Sequence, residues 1–316
     1  MNTYTKEILD LLKERYEQVV GTGTYRTRSQ MQNYWLDNYK DNLIHPMNAS
    51  AEVAYGAGAG NEIGTGKISA LKSSSALTYN LFWNQTANIV RAVPPLGNGT
   101  YSVEFEKQYK TLRTSNFPAH LDAFLYCKET GEAIACEMKM TEWIFNKPSR
   151  LRASYLNPNN YANQSAGNIF ASVADKEIKG KPIIGKDGRC LEYEVKYQNY
   201  DAAQMFKHVV ALYRACDEGY TAEKLEVKKL TLLNCAWTLS TPNKLTSEAS
   251  QKRYAETWDK EINEFDRFTT DMRPIKDLFK NTLDIDFDIR LCTFADLLGM
   301  LDKTPEELAY LDRYMI

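Results

Sequence analysis

Asp122, Glu137 and Lys139 stand in two short segments, HLDAFLYC and AIACEMKM, which the sequence predicts to be the two strands of one β-hairpin. The joint between them, residues 128–131, ends in Gly131, the residue best suited to the left-handed conformation of a four-residue hairpin loop. Closing this loop at its two flanking residues predicts that Asp122 faces Glu137 directly, with Cβ atoms about 5 Å apart. Lys139 then shares a face of its strand with Glu137.

The alternation of the second strand separates a core side from the side of the two acids. Its core-facing residues are expected to be Ile134, Cys136, Met138 and Met140. Lys139 is expected on the opposite side, exposed or lining a cleft. Because two carboxylates at one cross-strand position repel each other, a divalent cation is the natural counter-charge. Mg²⁺ is commonly held by one or two carboxylates plus phosphate and water oxygens, and a nearby lysine can steady an attacking water.

An Asp followed fifteen residues later by Glu-x-Lys on the adjacent strand resembles the PD-(D/E)XK nuclease superfamily, which has the restriction-endonuclease-like fold. The resemblance implies a metal-dependent nuclease in which Asp122 and Glu137 bind Mg²⁺ or Mn²⁺ and Lys139 assists the attacking water. It also implies an α/β fold whose core runs helix, three antiparallel strands, helix, strand. Leu121 stands where the Pro of the family name would precede Asp122.

Further segments resemble uncharacterised bacterial restriction-endonuclease-like proteins, and the likeness extends from Glu62 to about Leu239. These segments are Ser73–Phe82, Phe105–Lys107, Pro118–Asp122 and Gln204–His208. The expected substrate is nucleic acid, with DNA favoured over RNA, and a restriction-type endonuclease is one form of the activity. If both strands of duplex DNA are cut, a two-fold homodimer is the simple arrangement.

The Glu-x-Lys tripeptide occurs four times, beginning at residues 137, 177, 194 and 226, so the tripeptide alone carries little information. The main competitor is Glu194-Val195-Lys196, because it also lies in a predicted strand. Its nearest aspartate, Asp187, lies in the preceding turn and cannot be a cross-strand partner. The simpler alternative for Asp122 and Glu137 is a solvated sheet face with an ordinary Glu to Lys pair.

A further acidic metal ligand is implied by the resemblance, because the first core helix of the superfamily often supplies one. Glu62 precedes the predicted helix of residues 73–83 and could play this part. Glu106, in the predicted strand of residues 102–109, could do so equally well. The alternative is that both are ordinary surface acids.

The segment Asp201–Asp217 predicts a helix with a wide apolar stripe, and Gln204 and His208 share one side of it, next to that stripe. The resemblance to the nuclease superfamily implies that this helix packs beside the catalytic sheet. Gln204, Lys207 and His208 are therefore expected to reach phosphate or the attacking water, and Gln204 is counted with the catalytic residues. The alternative is that these side chains merely border the core.

The overall charge does not favour a nucleic-acid binder, since 39 basic residues stand against 41 acidic ones. Phosphate contacts need only local basic clusters, however. Lys147, Arg150 and Arg152 form one such cluster just after the catalytic strand, and residues 176–189 form another. The alternative for each is a solvated loop.

Length and composition indicate a globular chain, with 316 residues of which 43% are hydrophobic and 25% charged. No stretch approaches the roughly 20 apolar residues needed to cross a bilayer, so the expected location is the cytoplasm with no membrane partner. Six cysteines without a Cys-x-x-Cys pair argue against a zinc site and are expected to be reduced.

The predicted organisation is a single elaborated nuclease domain without a clear linker. Its core spans residues 62–239, helices cover residues 1–50, and a helical and strand extension covers residues 246–316. Residues 29–44 are predicted to form the second of the N-terminal helices. Residues 54–67 are rich in glycine but lack the Gly-x-x-x-x-Gly-Lys-Ser/Thr pattern of a phosphate-binding loop and are predicted to be a flexible loop.

Two other classes of function stay open. The first is a non-catalytic nucleic-acid-binding protein with the same fold, although the presence of all three chemical groups argues against it. The second is an unrelated hydrolase. It is disfavoured because His45, His120 and His208 are the only histidines, and the chain has no Gly-x-Ser-x-Gly motif.

Overall fold

The computed structural model describes residues 1–26, 32–57, 61–113, 118–145, 147–218 and 226–316. In these ranges the α-helices are α1 (Thr3–Val19), α2 (Ala49–Ala57), α3 (Ser74–Phe82), α4 (Glu142–Phe145), α5 (Gln164–Val173), α6 (Ala202–Asp217), α7 (Glu248–Asp271), α8 (Arg273–Leu283), α9 (Phe294–Met300) and α10 (Pro305–Leu311). The strands are β1 (Thr86–Ile89), β2 (Gly99–Tyr109), β3 (Ala119–Cys127), β4 (Glu132–Lys139), β5 (Leu151–Arg152), β6 (Lys179–Ile184), β7 (Cys190–Val195), β8 (Lys229–Ala236) and β9 (Asp286–Thr293).

Six strands form the main sheet in the order β1-β2-β3-β4-β8-β9. The first four strands pair with one another antiparallel, whereas β8 is parallel to β4 and β9 is parallel to β8. A parallel connection needs a long crossover, and α5 and α6 lie between β4 and β8, as α7 and α8 lie between β8 and β9. A small antiparallel sheet has the order β5-β7-β6. The fold is therefore α/β with a mixed sheet.

Both faces of the main sheet are covered at the central strands β4 and β8. On β4, Ile134, Cys136 and Met138 belong to a core that includes residues of α1, α3 and α9, whereas Ala133 and Ala135 belong to a second core built with α5, α6 and α8. Because neither face is open to water, central strands such as β8 are almost continuously apolar. The alternative of a solvated sheet face at Glu137 is therefore wrong.

The hairpin of β3 and β4 has the predicted register. Tyr126 pairs with Ala133 and Phe124 with Ala135, and the loop ends at Gly131, whose φ is +67°. A Cβ atom at this glycine would also lie 2.6 Å from a backbone carbonyl oxygen, so the position is closed to other residues on both grounds.

Elements outside the hairpin follow the prediction less closely. The predicted helix of residues 29–44 is wrong over residues 32–44, where two short 3-10 turns, Gln32–Tyr34 and Tyr39–Asn42, stand instead; residues 29–31 lie outside the described ranges. The glycine-rich segment begins inside α2, so its first residues are helical rather than loop. Strand β9, from the C-terminal extension, is an integral edge strand of the main sheet. None of the helices in the described ranges combines the length and the apolar character needed to cross a membrane.

Candidate active site

Three carboxyl side chains lie at one level across neighbouring strands of the main sheet. They are Glu106 on β2, Asp122 on β3 and Glu137 on β4, and we call them the acidic row. The residue pairs that flank these positions are Phe105 with Ala123, Lys107 with Leu121, and Ala123 with Cys136. On the next strand, Asn234 is in register with Glu137. The row therefore continues as a polar line through the middle of the sheet.

Strands β2 and β3 exchange their faces at the acidic row. On β3, Ala123 contributes to the first core and Leu121 to the second, although a regular strand would place both on one side. On β2, Phe105 and Tyr109 differ in the same way. Glu106, between them, has φ +49°, a left-handed conformation that is unfavourable for a residue with a side chain. Local backbone strain therefore marks the row.

Asp122 does not form the simple cross-strand pair with Glu137 that the sequence predicts. The regular pairing of β3 with β4 is observed only as far as Ala123, and the Asp122 carboxylate accepts a hydrogen bond of 2.6 Å from the backbone N–H of Met138. The face exchange accounts for this change, since it rotates β3 just where Asp122 stands. The two acids are still near enough for the charge of Glu137 to raise the pKa of Asp122.

Glu137, Lys139 and Gln204 form a closed triangle of hydrogen bonds. Lys139 Nζ donates to Glu137 Oε1 at 2.6 Å and to Gln204 Oε1 at 2.7 Å, and Gln204 Nε2 donates to Glu137 Oε1 at 2.7 Å. The Glu137 side chain is 5% exposed and that of Lys139 only 13%. Lys139 is thus a largely buried cation that donates two hydrogen bonds, rather than an exposed one.

Helix α6 positions the third member of the triangle. Its N-terminal cap, Asp201, accepts from the backbone N–H of Gln204 and from both the N–H and the hydroxyl of Ser149, so the helix start is tied to the loop after β4. One turn beyond Gln204, the Nε2 atom of His208 lies 3.0 Å from Glu137 Oε2. His208 is 1% exposed, so it contacts the row rather than the molecular surface, where a nucleic acid would lie.

The three carboxyl groups of the acidic row differ in their pKa values. Burial, together with the charges of Glu62 and Glu137, raises the pKa of Glu106 to about 8. Burial and the charges of Glu137 and Glu106 raise the pKa of Asp122 well above its usual range. Burial also works against the charge of Glu137, but Lys139 and His208 outweigh it and lower the pKa of this carboxyl to about 2. The row therefore holds one carboxyl whose pKa is lowered beside two whose pKa values are raised.

Glu62 and Glu106, the two alternatives for a further acidic ligand, both lie near the row. Glu62 follows α2 and is 3.6 Å from Lys67 Nζ, and its charge contributes to the raised pKa of Glu106. Tyr55, which is fully buried, has its pKa raised by burial and then by Glu106, Asp122 and Glu62. The choice between Glu62 and Glu106 stays open.

The carboxyl oxygens of the acidic row are of the chemical type that binds divalent cations. Glu137 Oε2 is buried and has no well-aligned hydrogen-bond partner among the described residues, His208 included. Burial, and then repulsion from neighbouring carboxylates, raises the pKa values of Glu106 and Asp122, and a cation would relieve the repulsion. Within the described residues, however, no three His, Cys, Asp or Glu side chains already converge as metal ligands. A cation would therefore require these side chains to rearrange.

Two clefts of different character meet at Gln204 and Ser149. The first, which we call the basic cleft, has a volume of about 390 Å³ and is lined by His120, Arg150, Arg152 and Lys207. Burial, and then the charge of Arg152, lowers the pKa of Lys207. The second, which we call the polar cavity, has a volume of about 220 Å³ and is bordered by Lys139 and, at its mouth, by Lys147. The sequence cluster of Lys147, Arg150 and Arg152 is thus divided between two clefts.

Three residues at this site escaped the sequence reasoning: Asp201, Asn234 and Glu261. Asn234 is a polar residue inside the apolar run of β8, and it is 3% exposed. Glu261 interrupts the buried stripe of α7, formed by Tyr254, Phe265 and Phe268, at a spacing where an apolar residue is expected. A polar residue at a position where the sequence pattern expects an apolar one was therefore the signal that could have identified Asn234 and Glu261.

Comparisons of this chain with protein-family models, with curated proteins and with solved structures each gave no match.

Proposed function

We propose that this protein is a divalent-metal-dependent nuclease of the PD-(D/E)XK type that hydrolyses phosphodiester bonds of nucleic acid, with DNA as the expected substrate. The observation that carries the proposal is Lys139, held by Glu137 and Gln204 at the end of a row of three carboxyls. The element order supports it as well, since α3 is followed by antiparallel strands β2, β3 and β4, then α6 and the parallel strand β8.

Each residue of the row has a role in the proposed reaction. Asp122 and Glu137 would hold Mg²⁺ or Mn²⁺, joined by Glu62 or Glu106. When bound, such an ion polarises a phosphoryl oxygen and lowers the pKa of a bound water. Lys139 orients the attacking water and stabilises charge that develops on the phosphate. Gln204 holds the Lys139 ammonium group in place through the 2.7 Å hydrogen bond.

His208 acts on the site through Glu137. It is buried against the Oε2 atom at 3.0 Å and cannot reach a phosphate at the surface without disturbing the core. We therefore assign it as a positioning residue that limits how the Glu137 carboxylate can turn. This replaces the expectation that His208 contacts nucleic acid.

The basic cleft supplies a path for the substrate backbone. Arg150, Arg152 and Lys207 line it, and Gln204 connects it to the catalytic triangle. Phosphate oxygens in this cleft would meet cationic side chains on one side of the acidic row, as backbone recognition requires. The protein as a whole carries a formal charge of −2, so binding depends on this local cluster.

The second candidate is a non-catalytic nucleic-acid-binding protein with the same architecture. The observation in its favour is that no three metal-ligating side chains converge among the described residues, while Lys139 neutralises Glu137 directly. In that case the row is a structural ion pair, and the basic cleft alone has a function.

Calorimetry and a cleavage assay separate these candidates. The wild-type protein should bind Mg²⁺, Mn²⁺ and Ca²⁺, and should cut DNA with the first two but not with Ca²⁺, which positions and activates water less well. Asp122→Asn should weaken divalent binding and abolish cutting. If nucleic acid binds but no divalent ion does, the non-catalytic candidate is correct. If neither binds, both candidates are wrong.

A further inference from the structure

The polar cavity contains buried polar atoms that lack partners. Within the described residues, Glu261 Oε2, Asn234 Oδ1 and Asn199 Nδ2 have no hydrogen-bond partner, and Glu261 and Asn234 are each only 3% exposed. The Tyr200 hydroxyl is near Asn234 but outside hydrogen-bond geometry. Leaving such atoms unpaired costs about 1–3 kcal/mol each, so an occupant that pairs with them is favoured.

The charge of the cavity wall selects the kind of occupant. Among the described residues that line it, the acidic Glu142 and Asp201 balance the cationic Lys139 and Lys147. Lys139 is already bonded to Glu137 and Gln204. An anionic phosphate is therefore disfavoured here, whereas the basic cleft on the other side of Gln204 favours it. The two clefts suit two different parts of one ligand.

The volume of the polar cavity and its unpaired hydrogen-bonding atoms narrow the choice of occupant further. The volume of about 220 Å³ is below the ~300–1,000 Å³ typical of drug-sized ligands, so a fragment such as one heteroaromatic ring system fits. The unpaired atoms include an acceptor on Asn234 and a donor on Asn199. Trp143 and Met205 add apolar wall. Unstacked bases are bound elsewhere by this mixture of hydrogen bonds and aromatic contact.

We propose that the polar cavity binds an uncharged nucleobase of the substrate strand, unstacked from its neighbours, while the adjoining phosphates lie in the basic cleft. This inference rests on the proposed function, and it adds a base-recognition site beside the catalytic lysine. Asn234 accepts a hydrogen bond from the base, Asn199 donates one, and Glu261 serves as donor or acceptor according to its protonation.

Glu261 gives the site a pH dependence. Burial, and then the charges of Glu264 and Asp201, raise the pKa of Glu261 to about 8 against the opposing effect of Lys139. The other charged groups on the cavity wall are Glu142 and Lys147. At neutral pH Glu261 is protonated and can donate to a ring nitrogen, whereas above about pH 8 it loses this proton. Base binding should therefore weaken as the pH rises through this value.

The test is a calorimetric or NMR titration of the full chain with 2′-deoxynucleosides, with 2-deoxyribose as the matched ligand without a base. At least one nucleoside should bind at millimolar strength, and the sugar should bind at least tenfold more weakly. Glu261→Leu should reduce nucleoside binding at least tenfold. Glu261→Gln, which stays neutral, should retain binding and lose its dependence on pH. The melting temperature of Glu261→Leu serves as the folding control and should not fall, because that variant removes an unpaired polar group.

Each other outcome has a definite meaning. If no nucleoside binds to a folded protein that cuts DNA, the cavity holds only water and the inference is wrong while the nuclease proposal stands. If Mg²⁺ binding is lost in Glu261→Gln but not in Asp122→Asn, the cavity is a cation site and the inference is again wrong. If nucleosides bind as expected but no divalent ion does, the base site is supported and the nuclease proposal fails.

Discussion

Lys139 is the residue whose removal should affect both stability and chemistry. It is the direct cationic partner of Glu137, and the two side chains are 13% and 5% exposed. Removing one partner of a buried ion pair leaves the other charge uncompensated, which typically costs about 3–5 kcal/mol. Lys139→Ala should therefore lower the free energy of unfolding by about 3 kcal/mol, measured by urea denaturation. In folded protein it should also reduce single-turnover cleavage by roughly a hundredfold or more.

The double variant Glu137→Gln, Lys139→Met separates charge from packing. Since it removes both charges, it should recover most of the stability that Lys139→Ala loses. It should not recover cleavage. If Lys139→Ala is as stable as the wild type, the triangle with Glu137 and Gln204 does not form in solution.

Glu106 should make the protein less stable as the pH rises. Its pKa is about 8 in the folded protein and near ~4.3 in an unfolded chain. Between these values the folded state holds a proton that the unfolded state has released, so raising the pH through this window favours unfolding. Glu261 contributes with the same sign. Urea denaturation between pH 5 and 9 should give a falling curve, and Glu106→Gln should flatten it.

Divalent ions provide the control for this pH effect. A cation at the acidic row competes with the proton on Glu106, whose pKa is about 8, so Mg²⁺ affinity should increase from pH 5 to pH 8. Stability that falls equally in the wild type and in Glu106→Gln would show that Glu106 does not retain its proton in the folded state.

The backbone strain of strand β2 lies at Glu106, whose φ is positive. An L-residue in the left-handed region costs roughly 1–2 kcal/mol, and glycine largely avoids this cost. Without divalent ions, Glu106→Gly should therefore be about 1 kcal/mol more stable than Glu106→Ala, by thermal or urea denaturation. Glu104, two residues earlier on the same strand, is not among the residues with positive φ, and there glycine should be the less stable substitution. If the glycine and alanine variants had the same order of stability at Glu106 and at Glu104, this would contradict the face exchange.

The same element shows how far the sequence could predict the site. The hairpin of β3 and β4 follows from local chemistry, because Gly131 and the alternation of β4 fix the register. The face exchange at Glu106 and Asp122 does not, because it depends on packing against cores on both sides of the sheet. Lys139 was expected to be exposed or to line a cleft, and it does border the polar cavity. That it is also largely buried does not follow from β4, because the burial involves Gln204 on α6.

Long-range placement explains what else the sequence reasoning missed. Glu261 lies on α7, more than a hundred residues after Lys139, yet both border the polar cavity. Only the position of Glu261 within the apolar stripe of α7 could have identified it as a residue of the site. The predicted helix over residues 32–44 was wrong because aromatic residues such as Tyr34 and Trp35 suit a helix by pattern, but pack here as short turns and bridges.

At the scale of the whole molecule, nucleic-acid binding should depend on salt through the basic cleft. Each phosphate contact contributes about 0.7–0.9 to the slope of log affinity against log salt. The triple variant Arg150→Ala, Arg152→Ala, Lys207→Ala should lower that slope by about two to three, measured by fluorescence anisotropy. The matched control replaces the exposed Lys6, Lys40 and Lys252, which line neither cleft, and should change it little. Equal effects would mean that binding is spread over the surface.

The most direct test of the nuclease proposal compares the two Glu-x-Lys sequences that lie on strands. Glu137 belongs to the acidic row, whereas Glu194 on β7 is exposed and belongs to the small sheet. Single-turnover cleavage of DNA should be measured with Mg²⁺ for the wild type, Glu137→Gln and Glu194→Gln. We predict Mg²⁺-dependent cutting by the wild type, at least a hundredfold loss in Glu137→Gln, and an unchanged rate in Glu194→Gln. Folded wild-type protein that cuts neither DNA nor RNA with Mg²⁺ or Mn²⁺, or equal rates in the two variants, would contradict the proposal.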